Sequence, residues 1–72
     1  MAESVHALNN FAQSRHLTVV YEVAHTGSQH AGVWTAIVYI DGVEHGRATD
    51  AKRDVARADA AKIALRLFGL NV

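Results

Sequence analysis

The stretch Asp50-Ala-Lys-Arg-Asp-Val-Ala-Arg-Ala-Asp-Ala-Ala-Lys-Ile-Ala-Leu-Arg-Leu-Phe68 holds five alanines between Val55 and Ala64 and neither glycine nor proline. Intrinsic propensity alone therefore predicts a helix of about five turns. On a helical wheel Ala56, Ala60, Ile63, Ala64 and Leu67 share one face, widened by Phe68, Ala61 and Leu65, and the small side chains would let a sheet approach closely. Ala58, Asp59, Lys62 and Arg66 are expected to face water. Lys52, Arg53 and Arg57 fall within two turns of the helix start, where free backbone N–H groups and the positive end of the dipole already favour an anion. Asp50 and Asp54 stand beside those cations and partly cancel them. Taken by itself, the stretch also reads as an ordinary amphipathic helix with a charged, solvated edge.

The whole chain has 72 residues, enough for one domain near the lower size at which an apolar core holds a fold without staples. The domain is expected over residues 4–69, with short tails at 1–3 and 70–72. Cysteine is absent, which removes disulfides and cysteine zinc sites from consideration. Half of the residues are apolar, yet no run approaches the ~18 apolar residues of a membrane span. The Met-Ala-Glu-Ser start lacks the basic-then-apolar pattern of a secretion signal. A soluble intracellular protein, cytoplasmic or nuclear, is the expectation. Seven basic and seven acidic side chains give zero formal charge, so a polyanion would have to be met by a local cluster rather than by the bulk field. Five histidines should raise that affinity on mild acidification.

Before the long helix the periodicity changes twice. Val5, Leu8, Phe11 and Ala12 recur at helical spacing behind Ser4, which reads as an N-cap, and predict a first helix from about Val5 to Arg15. Its other face offers Asn9, Asn10 and Gln13. Thr18 to His25 is β-branched and aromatic and predicts a strand with Val19, Tyr21 and Val23 inward. Thr26-Gly-Ser-Gln-His-Ala-Gly32 is a loop, and Val33 to Ile40 is a second strand with Trp34, Ala36, Val38 and Ile40 on one face. Asp41-Gly42 signals a tight hairpin, which makes Val43 to about Thr49 the third strand. The predicted class is α+β, in the order α-β-β-β-α, with an antiparallel sheet and both helices on one of its faces. The expected core is Leu8, Phe11, Tyr21, Trp34, Val38, Ala60, Ile63, Ala64 and Leu67.

No catalytic arrangement emerges. The carboxylates are scattered over turns and helix faces, His25, His30 and His45 match no zinc spacing, and Ser28 near His30 has neither a glycine-flanked elbow nor an orienting acid. Neither an enzyme nor a metal or other cofactor is expected.

Three chemically distinct pieces remain: the amides of the first helix, Gly27-Ser28-Gln29-His30, and the basic start of the second helix. With them the chain resembles the double-stranded-RNA-binding domain family over about residues 4 to 69. Leu8-Asn9-Asn10-Phe11-Ala12-Gln13 is similar to the family's Leu-Asn-Glu-x-x-Gln helix. Gly27-Ser28-Gln29-His30 followed by Trp34 is similar to its Gly-Pro-x-His loop and trailing aromatic. Arg53 to Leu65 falls without a gap on Lys-Lys-x-Ala-Lys-x-x-Ala-Ala-x-x-Ala-Leu. The resemblance implies that Asn9, Asn10 and Gln13 meet one minor groove of A-form RNA, that Gly27, Ser28, Gln29 and His30 enter the next, and that Lys52, Arg53 and Arg57 bridge the phosphates between them. Such contacts read shape and 2′-hydroxyls rather than sequence.

Three departures bear on affinity. Asn10 replaces the usual Glu, Ser28 replaces the loop proline and leaves the loop less rigid, and Asp54 occupies the second lysine of the basic triplet. Together they imply binding weaker than is usual for the family. They also open a rival reading, a fold of this kind used for protein contact or homodimerisation through an open sheet face bearing Val20, Ala24, Val33, Ile37 and Tyr39. Single apolar residues on a sheet surface are also common without any such role.

Overall fold

The computed structural model describes residues 3–71 and has the elements α1 (Glu3–Ser14), β1 (Val19–Thr26), β2 (Val33–Ile40), β3 (Val43–Asp50) and α2 (Arg53–Leu67). The three strands form one antiparallel sheet in the order β1-β2-β3. Both helices cover the same face, as expected. The outermost expected tail residues, Met1, Ala2 and Val72, lie outside the described residues, while Glu3 is already helical. Ser4 consequently falls inside the first turn of α1 and does not cap it.

β2 is central and buries Ala36, Val38 and Ile40 beneath the helices, as its alternation predicts. Leu8, Ala56, Ala60, Ala61, Ala64 and Leu65 join them in the fully buried layer, and Phe11, Tyr21 and Trp34 pack around its margin, half-buried. The register runs from Val19 opposite Ile40 to Thr26 opposite Val33. At the start of β1 the Thr18 N–H donates to Asp41 Oδ1 at 2.8 Å, and the Asp41 N–H donates to the Thr18 carbonyl at 2.9 Å. This reciprocal pair fastens the entry of β1 to the β2–β3 turn, where Asp41 and Gly42 adopt φ of 50° and 83°. Two successive positive φ values are those of the tight hairpin turn predicted for an Asp-Gly pair.

The expected face of α2 is rotated. Ile63 and Leu67 are 38% and 66% exposed, whereas Ala58, expected in water, is buried together with Ala61 and Leu65. A single apolar stripe assumes one partner, but α2 has two. One flank lies on β2 and β3, and the other lies on α1, where Glu3 and Ser4 line a groove with Val55 and Ala58. Alanines on that second flank permit the close helix–helix approach. On the sheet side the spacing is tighter still, because a Cβ built on Gly46 would meet the carbonyl oxygen of Ala60.

β3 carries an irregularity that no sequence signal announced. Val38 pairs with Gly46 but Tyr39 pairs with Glu44, so His45 is an extra residue. The bulge turns both His45 and Gly46 toward the helices. His45 then stacks on Phe68 with ring centroids 5.4 Å apart, and Phe68 meets Phe11 at 4.9 Å. It also brings Glu44 and Arg47 onto the outer face, where they form an ion pair at 3.0 Å.

Each helix ends in the same way. The Leu17 N–H donates to the Ala12 carbonyl at 2.9 Å with His16 at φ 60°, and the Leu70 N–H donates to the Leu65 carbonyl at 3.1 Å with Gly69 at φ 82°. These are the six-to-one closures of a left-handed C-terminal cap.

Candidate functional site

The first two turns of α2 are linked toward both other pieces singled out in the sequence through two aromatic rings, Trp34 and Tyr21. Lys52 occupies the N-cap position in an extended conformation (φ −109°, ψ 130°) and its side chain makes no capping bond. Its backbone N–H instead donates to Asp50 Oδ2 at 2.9 Å. The carboxylate of Asp50 is thus committed to the helix start, where the dipole favours it. Lys52, Arg53 and Asp54 are exposed, so two cations and one anion meet solvent there.

Arg53 reaches toward the loop side. Its guanidinium carbon lies 5.9 Å from the centroid of the Trp34 ring, within range of cation–π attraction. Trp34 in turn meets the His25 ring at 4.9 Å with a 58° tilt, and the two residues are direct partners across β1 and β2. Between them runs the loop, in which the Gly32 N–H donates to the Ser28 carbonyl at 2.8 Å and the Ala31 N–H to Ser28 Oγ at 3.1 Å. Ser28 therefore closes a local turn where the resembling family has proline. Gly27, Ser28, Gln29 and His30 are all exposed on this turn.

Arg57 reaches the other way, toward α1. Its guanidinium carbon is 5.8 Å from the Tyr21 ring centroid, and the Tyr21 hydroxyl donates to Asn9 Oδ1 over a long 3.5 Å. Burial pushes the Tyr21 phenol above its ordinary pKa, and the positive charge of Arg57 offsets part of that rise. Arg57 Nε is buried without a hydrogen-bond partner, so only the outer end of this side chain is placed to meet an anion. Asn10 and Gln13 are exposed on α1.

Every polar residue expected at the site is therefore at the surface or half-buried. Asn9, Arg53 and Arg57 are joined to the rest of the fold through aromatic rings. Sequence reasoning missed His25 as part of this arrangement. Period-2 alternation from Tyr21 and Val23 does put it on the inner face, at the end of β1 next to the loop.

The open sheet face gives a different picture. Val20 and Val33 are 53% and 43% exposed, but Ile37 is only 8% exposed, set between its strand partners Glu22 and Arg47. Tyr39 is half-buried, and Ala24 is exposed. Val20 lies opposite Tyr39 while Val33 begins β2, about 20 Å away along the strand. The apolar patch expected there is interrupted by charged neighbours. His25 and His45 are likewise at opposite ends of the sheet, and among the described residues no group of three His, Cys, Asp or Glu side chains is placed to hold a metal ion.

Comparison with known proteins adds a family and three solved structures of the same fold. The chain matches the family described as "Double-stranded RNA binding motif" over residues 4–67. A structure of Arabidopsis HYL1, described for its implications for miRNA processing, superposes with a TM-score of 0.83 at 28% identity, covering 93% of this chain and 97% of that one. The first dsRBD of the protein HYL1 gives 0.77 at 31% identity, covering 86% and 90%. The second dsRBD of DRB4 gives 0.72 at 25% identity, covering 99% and 100%. No curated protein matches the chain.

Proposed function

The chain belongs to the double-stranded RNA binding motif family, and on that premise we propose that it binds duplex RNA by shape, with little sequence preference, through one surface built by α1, the β1–β2 loop and the start of α2. Asn9, Asn10 and Gln13 would face one minor groove and Gly27 to His30 the next. Lys52, Arg53 and the outer end of Arg57 would meet the phosphates of the intervening major groove. The observation that carries this reading is the double attachment of α2: Arg53 to the loop side through Trp34 and His25, and Arg57 to α1 through Tyr21 and Asn9. A rigid spacing between separate contact points suits recognition of groove geometry better than recognition of bases.

The charge at the helix start sets the strength. Asp54 in the first turn and Asp50 on the Lys52 amide both oppose phosphate, so the affinity is modest and its dependence on salt is shallow, set by the few phosphates that are met. The interrupted apolar face lends less support to a homodimer or a protein partner through Val20, Val33, Ile37 and Tyr39. Backbone amide shifts of 15N-labelled protein titrated with duplex RNA test the assignment. Changes should cluster at Gln13, Gly27 to His30, and Lys52 to Arg57. Changes confined to β1 and β2 outer-face residues would move the function to the open sheet.

A further inference from the structure

The returning end of the loop between β1 and β2 lies against the His25 side chain and the Thr26 backbone. Gly32, at its far end, has no room for a Cβ, which would meet His25 Cε1 and Nε2 at 2.6 Å and the Thr26 carbonyl oxygen at 2.5 Å. At the loop neck a Cβ on Gly27 would meet Gly32 Cα at 3.0 Å. The His25 ring therefore underlies the returning strand of the loop. Its other neighbour is Trp34, at 4.9 Å between centroids, and Trp34 carries the Arg53 guanidinium at 5.9 Å.

We propose that His25 is a positioning residue that sets the β1–β2 loop at a fixed height and distance from the start of α2, through the contact series Gly32, His25, Trp34 and Arg53. The proposal rests on the RNA reading above and deepens it. A loop held in its binding conformation loses less freedom when it enters a groove, and that saving appears directly in affinity. Proline would restrict the backbone at position 28 by its ring. Here Ser28 closes the turn by hydrogen bonds, and the flat imidazole beneath Gly32 fixes where the turn stands. The role needs a planar ring and not a proton donor, so phenylalanine should serve and alanine should not.

The test compares wild type with His25→Ala, His25→Phe and Gly32→Ala. Hydrogen exchange at the Ala31 and Gly32 amides is measured in the free proteins. Affinity for a duplex RNA, and for a duplex DNA of the same sequence, is measured at several salt concentrations well below each melting temperature. His25→Ala should speed exchange at both amides and weaken RNA binding roughly three- to tenfold, lowering the preference for RNA over DNA while leaving the salt slope unchanged. A merely structural role would lower the melting temperature without that selective loss. His25→Phe should restore both properties; Gly32→Ala, whose Cβ would press on both the Thr26 carbonyl and the ring, should speed the same exchange, and if His25→Ala does not fold, His25→Leu, which lacks the flat ring, takes its place and should give the alanine result. Unchanged exchange, unchanged affinity, or failure of His25→Phe to restore them would overturn the proposal. If the wild type binds no RNA, the RNA reading falls, and the exchange data still decide whether His25 holds the loop.

Discussion

Gly46 of β3 lies so close to Ala60 of α2 that a Cβ on the glycine would meet the Ala60 carbonyl oxygen. The contact, at the middle of α2, sets the height of the helix above the sheet, and with it the position of Arg57 and Arg53 one and two turns nearer its start. A helix backbone has no soft way to yield there. Gly46→Ala should cost ~1–3 kcal/mol in denaturant unfolding, and a variant as stable as wild type would show that the helix rides higher than described.

His16 ends α1 in the left-handed region, at φ 60°, where a side chain is unfavourable. Gly69 does the same task for α2 without that cost. His16→Gly should therefore stabilise the protein by about 0.5–1 kcal/mol, read as a higher melting temperature. A loss of stability would mean that the His16 ring makes a contribution larger than its backbone strain.

Tyr21 supplies a pH test of the link between α1 and α2. Burial raises its phenol pKa in the folded protein, with Arg57 opposing. The group thus lends stability that is fully present below the ordinary phenol pKa of about 10 and is lost as pH climbs through the higher folded value. Tyr21→Phe should weaken the fall in stability above about pH 10. The difference in tyrosinate absorbance between wild type and variant should titrate above a free phenol, and higher again in Arg57→Leu. A Tyr21 component that titrates like a free phenol would contradict the packing of its ring.

The basic end of α2 is tested by salt. Arg53→Ala should weaken binding to every RNA duplex and reduce the slope of log affinity against log salt by about one. Asp54→Lys should do the reverse, tightening binding and steepening the slope. If neither change alters the slope, the start of α2 is not where phosphates are met.

Much of this arrangement was legible because it rests on local rules. The strand alternation of β2, the Asp41-Gly42 turn and the alanine-rich run each follow from one residue's neighbours in sequence, and they placed the sheet and both helices. The misplaced residues depended on partners far along the chain. Ile63 and Leu67 look interior on a helical wheel, and only the second contact of α2 with α1 rotates them outward and draws Ala58 in. Ile37 looked like part of an apolar surface until its cross-strand neighbours, Glu22 and Arg47, were known. The bulge at His45 has no composition of its own, so neither its stacking on Phe68 nor the pairing of Glu44 with Arg47 had a signal to find. The polar residues proposed for binding were easier to place at or near the surface, since they lie outside the apolar periodicity.

A surface spaced for the grooves of an A-form helix should prefer duplex RNA to any other nucleic acid. The most direct measurement is an anisotropy titration at low salt of a labelled RNA duplex of about 16 base pairs, long enough to present two successive minor grooves, beside a DNA duplex of the same sequence and the single strand. Saturable binding to the RNA duplex is expected, with weaker binding to the other two and little change when the RNA sequence is scrambled with its pairing preserved. Equal affinity for RNA and DNA duplexes, or no binding to the RNA duplex, would contradict it.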